Sequence, residues 1–164
     1  MGGAVTVTHV ALLAQVNVAR MRGTLDSAEM SGFVAALDPV YRLAEESPGF
    51  VWRLRDGGGG HVVVSDLMVV NVSVWRGYEQ LHAFVYRSHH GALVKRRDRW
   101  FLPTPQPSTA LWWIADDHRP TLADATARLA HLRRHGPTPQ AFGLRRRFDP
   151  VGRPVHSRGA RGRA

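Results

Sequence analysis

The chain has 164 residues, 44% of them hydrophobic and 21% charged, a net charge of +9 and no cysteine. That length suits one domain with its own core, and the missing thiols exclude disulfide frameworks, cysteine nucleophiles, zinc fingers and iron–sulfur sites. No apolar run approaches the roughly 20 residues that span a bilayer, and Met1–Val10 has neither the basic start nor the apolar stretch of a secretory leader, so a cytoplasmic protein without a membrane partner is expected.

His9–Val18 reads as a strand, with Leu12, Ala14, Val16 and Val18 on one face and Leu13, Gln15 and Asn17 on the other. A helix is expected over Ser27–Glu46, its buried stripe formed by Met30, Phe33, Val34, Leu37, Tyr41 and Ala44. Pro39 can kink it by removing a backbone hydrogen bond, and Ser47-Pro48-Gly49 stops it. Phe50–Arg55 alternates as a second strand with Phe50, Trp52 and Leu54 on one face. Gly57–Gly60 is a loop without the Walker Lys-Ser/Thr or the spaced glycines of a dinucleotide site, and His61–Ser65 is a short strand or loop.

Leu67–Trp75 is the third strand, with Val70, Val72 and Val74 opposite Asn71, Ser73 and Trp75. Gly77–Phe101 is expected to be helical with a break near Ser88–Gly91, and Lys95–Arg99 to be a solvated helix face. Pro103, Pro105 and Pro107 mark an extended loop before a fourth strand, Thr109–Ile114. In the last helix Thr121 is the cap with Asp124 three residues on, Leu122, Ala125, Leu129 and Leu132 form the seam, and Gly136-Pro137 is the stop. Ala141–Phe148 is expected as an edge strand.

The domain is therefore placed at residues 9–149, after a flexible 1–8 and before a disordered, arginine-rich 150–164. Residues 145–164 hold seven arginines against Asp149 alone, which accounts for six of the nine net charges. With 21 arginines against the single Lys95, the bias fits a GC-rich coding sequence better than selection for phosphate contacts, so nucleic acid is not the expected partner.

The order strand–helix–strand–strand–helix–strand is that of a ferredoxin-like α+β fold, whose helices cover one face of the sheet. Because several strands are apolar on both faces, a homodimer with sheets packed face to face is expected to cover the other.

Polar residues inside apolar strands mark the candidate site: Gln15, Asn17, Arg53, Asn71 and Ser73, with Trp52, Trp75 and Trp113 beside them. They serve either as ligand contacts or as partners for one another. On a continuous helix Tyr86, His90 and Arg97 share a face, a set able to act in acid–base chemistry; a helix-end histidine bonded to backbone is the structural alternative, and His89 is expected in solvent. His131 and His135, at i and i+4, have no third ligand nearby and read as a solvated helix face.

The segments Leu13-Ala14-Gln15-Val16-Asn17, Gly49-Phe50-Val51-Trp52-Arg53-Leu54, Asn71–Trp75 and Phe84–His90, with Trp100-Phe101, Leu111-Trp112-Trp113, His118–Thr121 and Gly136–Pro139, resemble a bacterial family known as domain of unknown function 3291. The likeness runs from about Leu12 to Phe148. It implies membership of the dimeric α+β barrel superfamily, which holds cofactor-free monooxygenases of polycyclic aromatics, isomerases, polyketide cyclases and haem enzymes. His90–Trp100 is also similar to part of the haem-containing spheroidene monooxygenase, so His90 is the residue the resemblance offers as a haem ligand. A fold does not fix a reaction. The expectation is a small-molecule tailoring enzyme, a monooxygenase-like oxidoreductase acting on an apolar or aromatic substrate between sheet and helices, with haem or without cofactor. A cofactor-free isomerase or cyclase, and a non-catalytic dimeric binder of a hydrophobic ligand, are the alternatives.

Overall fold

Strand β1 (Ala11–Met21) lies at the centre of the sheet because it alternates two apolar faces over 11 residues. In the computed structural model, which describes residues 10–56, 62–65, 67–87 and 97–156, β1 pairs antiparallel with β4 (Met68–Trp75) on one side and β6 (Thr109–Ala115) on the other. Beyond β4 run β2 (Phe50–Arg53) and β3 (Val62–Ser65); β5 (Phe101–Leu102) pairs with the end of β1 at Arg20 and Met21. The four principal strands lie in the order β6–β1–β4–β2, all antiparallel, which is the ferredoxin-like arrangement of an α+β fold.

Helix α1 (Ser31–Glu46) connects β1 to β2, and α2 (Tyr78–Arg87) follows β4. Both lie on the face that carries Leu13, Trp75 and Leu111, where Ala44 and Leu81 join the same core cluster. Pro39 lies inside α1, which continues through it to Glu46. Gly49 then turns the chain with φ +82°, and a β-carbon there would collide with the Gln80 side chain, so only glycine suits this corner.

The opposite face is closed within the same chain. Helix α3 (Leu122–His135) packs Ala125, Leu129 and Leu132 against Leu12, Ala14, Val16, Val70, Val72, Val74 and Trp112. Each of these sheet residues is at most 5% exposed. The apolar face from which a face-to-face sheet dimer was expected is therefore covered by α3 of the same chain. Fully burying a Val or Leu side chain is worth about 1.5–3 kcal/mol, so this layer belongs to the core. The capping box at the start of α3 is present, with Thr121 Oγ1 accepting from the Asp124 N–H and the Asp124 carboxylate accepting from the Thr121 N–H. Near its end, Arg133 donates to the carbonyls of Pro105 and Pro107 and ties down the proline loop.

Three other expectations change. Of the broken helix expected over Gly77–Phe101, Tyr78–Arg87 is helical (α2), residues 88–96 lie outside the described residues, and the far end is a short 3-10 turn at Arg97–Arg99 followed by strand β5, because Phe101 and Leu102 find backbone partners on β1. In β2, Phe50 and Trp52 do not share a face: a bulge between them leaves Phe50 against Trp75 and sends Trp52 to the α3 side. The stretch from Pro150 is ordered through His156, since Pro154-Val155 (β8) pairs with Arg147-Phe148 (β7) while the Asp149 carboxylate accepts from the N–H groups of Val151 and Arg153. The expected edge strand over Ala141–Phe148 reaches the main sheet only as a bridge between Leu111 and Phe142. Residues 1–8, Gly57–Gly60, His89, His90, Lys95 and 157–164 lie outside the described residues.

Candidate functional site

Strand register gathers the polar residues into rungs that cross the sheet on the α1–α2 face. Asn71, Asn17 and Thr109 form one rung, Arg53, Ser73, Gln15 and Leu111 the next, and Phe50, Trp75, Leu13 and Trp113 the third. Residues directly opposite on antiparallel strands share a face, so a period-2 polar pattern in β1 and β4 becomes a polar patch two strands wide.

Above this patch lies a cavity of about 330 Å³, within the usual range for a small-molecule site. Its floor is Gln15, Asn17, Asn71, Ser73 and Thr109. Helix α1 contributes Phe33, Leu37, Val40, Tyr41 and Ala44, and α2 contributes Leu81, Phe84 and Val85. Trp75 stacks with Phe84 at 5.1 Å between ring centroids and meets Phe50 edge-on at 5.4 Å. Phe33 packs on Trp100 and Phe101 at the other end. The wall is apolar and aromatic, the floor amide-rich.

The floor residues satisfy one another in part. Asn17 Nδ2 donates to Thr109 Oγ1 at 2.8 Å, Ser73 Oγ to Gln15 Oε1 at 3.2 Å, Trp75 Nε1 to Ser73 Oγ at 2.9 Å, and the Tyr41 hydroxyl to Asn71 Oδ1 at 3.2 Å. The other end of each amide, Asn17 Oδ1, Asn71 Nδ2 and Gln15 Nε2, makes no hydrogen bond to a described residue. The floor therefore offers an acceptor and two donors while its remaining polar atoms hold one another in place.

At the rim of the sheet Arg53 lines the same cavity. Its guanidinium lies 3.9 Å from the centre of the Tyr41 ring, and its Nε donates to Glu45 Oε1 at 2.9 Å. That bond is the main reason the Glu45 carboxyl is held below its usual range. Burial pushes the Tyr41 phenol up to about 12, the Arg53 charge opposing the shift, so Tyr41 is a neutral hydrogen-bond donor at ordinary pH.

Of the residues singled out in the sequence, Gln15, Asn17, Arg53, Asn71, Ser73, Trp75, Tyr86 and Arg97 line the cavity. Trp52 and Trp113 do not: Trp52 packs toward α3, and Trp113 donates through Nε1 to the Phe148 carbonyl at 2.7 Å. Tyr86 is 55% exposed and lies in α2, while Arg97 sits in the separate 3-10 turn, so these two do not share one helix face. Their intended companion, His90, is outside the described residues. Tyr41 was legible only as a stripe residue of α1; a lone phenol in that apolar stripe was the available signal.

His90, the residue the resemblance offers as a haem ligand, lies outside the described residues; the described residues lining the cavity include no histidine, cysteine or methionine. Tyr41, the phenol at the floor, is bonded to Asn71 and favours its protonated form. His131 and His135 lie with ring centroids 4.6 Å apart at a tilt of 41° on the far helix, with His131 Nε2 against Thr138 Oγ1 at 3.0 Å; no metal-binding cluster of three occurs among the described residues.

Fold and cavity together define a ferredoxin-like α+β protein with a cavity between its sheet and two helices. The chain belongs to the family described as Domain of unknown function (DUF3291), whose model matches residues 12–158. No curated protein matches it. Among solved structures it is similar to the NE2512 protein of unknown function from Nitrosomonas europaea, with 9% identity, TM-score 0.48 and coverage of 69% of this chain and 96% of that one. It is also similar to SnoaB, a cofactor-independent oxygenase from Streptomyces nogalater, with 18% identity, TM-score 0.41 and coverage of 68% and 96%. A third is a monooxygenase from the gene ActVA-Orf6 of Streptomyces coelicolor in complex with Nanaomycin D, with 16% identity, TM-score 0.41 and coverage of 68% and 92%. Likeness of this degree carries no argument about chemistry. Among the described residues no helix is long and apolar enough to cross a membrane.

Proposed function

We propose that the cavity binds an apolar or aromatic small molecule bearing oxygen substituents, and that the protein is a tailoring enzyme of the monooxygenase-like kind. The observation that carries the reading is the pairing of an aromatic wall, Trp75, Phe84 and Phe50, with a floor of half-committed amides at Gln15, Asn17 and Asn71. The wall supplies area burial and ring stacking. The amides orient polar substituents at fixed points, and their mutual hydrogen bonds keep them preorganised.

Oxygen uptake and product mass with a panel of polycyclic phenols test this. Gain of one oxygen atom in the product, with oxygen consumed, is the expected result. A rearranged product of unchanged mass means an isomerase or cyclase instead. A second reading, a binder without turnover, is favoured by the degree to which the floor satisfies itself; tight binding with neither oxygen uptake nor product would establish it.

A further inference from the structure

Among the described residues, Arg53 carries the one fully buried side-chain nitrogen or oxygen left without a hydrogen-bond partner. Its side chain is 10% exposed, and its Nη1 is buried with no partner among the described residues. Guanidinium groups are costly to bury, and each buried N–H without an acceptor adds to that cost. Here Nε is occupied by Glu45 and the flat face by Tyr41, so the charge is oriented while its buried Nη1 lacks an acceptor among the described residues. Glu45 also takes a hydrogen bond from the exposed Arg55, so its carboxylate is divided between two guanidinium groups. Register places Arg53 opposite Ser73, beside Gln15 on the same rung, at the edge of the amide floor.

We infer that Arg53 is the anion-binding group of the cavity and that the ligand carries an anionic oxygen, carboxylate or phenolate, on its apolar body. This rests on the cavity being a site for an aromatic small molecule, as proposed above. The ligand oxygen accepts from the Arg53 guanidinium, which lines the cavity, while its rings lie against Trp75 and Phe84. Planarity and permanent charge make a guanidinium suited to such an oxygen, and ring stacking on Tyr41 fixes the direction in which it is offered.

The test is calorimetric titration of the intact chain with four probes of one shape: naphthalene, 2-naphthamide, naphthalene-2-carboxylate and 2-naphthol. The carboxylate is expected to bind about ten- to a hundredfold more tightly than the isosteric amide. In Arg53→Met, which keeps the stem and leaves Glu45 its Arg55 partner, that preference should vanish while naphthalene affinity is retained. 2-Naphthol titrated below and above its own ionisation separates the two sources: affinity that rises on ionisation identifies phenolate recognition, and a preference confined to the acid identifies carboxylate recognition. The inference is overturned if the wild-type chain binds amide and carboxylate equally, a result that does not require the variant to fold. It is equally overturned if folded Arg53→Met keeps the full preference. Failure of all four probes to bind removes the aromatic-site reading and this inference with it. Selective acid binding without oxygen uptake removes the oxygenase reading and leaves Arg53 in its role.

Discussion

The hydroxyl of Tyr41 on α1 donates to Oδ1 of Asn71 on β4 at 3.2 Å, the one side-chain bond among those described that joins α1 to the cavity floor. Replacing Tyr41 by Phe leaves Asn71 with neither end of its amide bonded. The expected cost is about 1–3 kcal/mol for an unsatisfied buried acceptor, measured by denaturant unfolding. Apolar ligands should still bind, since the ring and its stacking under Arg53 remain.

The same phenol makes stability sensitive to alkali. Its folded pKa, pushed up to about 12, lies above the ordinary value of 10.0, so the protonated form is favoured by folding. That contribution is complete below pH 10 and is lost as pH rises toward 12. Unfolding measured over this interval should show stability falling with pH, less steeply in Tyr41→Phe.

Because α3 closes the Leu12 face, that face cannot act as a dimer interface without α3 leaving it. Val16, fully buried there, is the probe. Val16→Asp is expected to unfold the chain, since an unpaired charge in an apolar interior is strongly disfavoured, and not to yield a folded monomer. Leu129→Ala should cost about 2–5 kcal/mol for the same layer. A folded, monomeric Val16→Asp chain by light scattering and circular dichroism would show that the face was an interface after all.

The segment after Pro150 is structural up to His156. Truncation after Pro150 removes β8 and the N–H groups that Asp149 accepts, exposing the β7 edge beside buried Phe148. A fall in melting temperature of several degrees is expected, in the range of about 1 kcal/mol for a domain of this size. Phe148→Ala should cost more, about 3–5 kcal/mol, because Phe148 also packs on Phe142 at 5.8 Å.

Thr121→Ala tests the start of α3. Loss of a threonine cap costs about 1 kcal/mol in typical helices. The Asp124 carboxyl is held below its ordinary range chiefly by the Thr121 N–H, so its contribution is present above the ordinary carboxylate pKa and lost as pH falls through the lowered one. The variant, which keeps that N–H but loses the hydroxyl bond, should retain part of this acid dependence.

What the residues decided alone was local. Alternation in β1 and β4 set which side chains share a face, and that is why Gln15, Asn17, Asn71 and Ser73 could be grouped before any contact was known. Thr121 with Asp124, and Gly136 after His135, fixed α3 by capping chemistry that acts within one turn. Tertiary structure decided the rest. The bulge that turns Trp52 away from Phe50 depends on how β2 meets β4, and a two-residue period carries no sign of it. The start of β5 depends on Phe101 finding β1. The side of the sheet to which α3 folds depends on chain direction after β6, and it turned an apolar face that seemed to require a second subunit into the interior of one. The Tyr41–Asn71 bond and the open Nη1 of Arg53 arise where α1 passes over β2 and β4, between residues up to 30 positions apart. A side chain's chemistry is written in its own position, but its partner is chosen by packing.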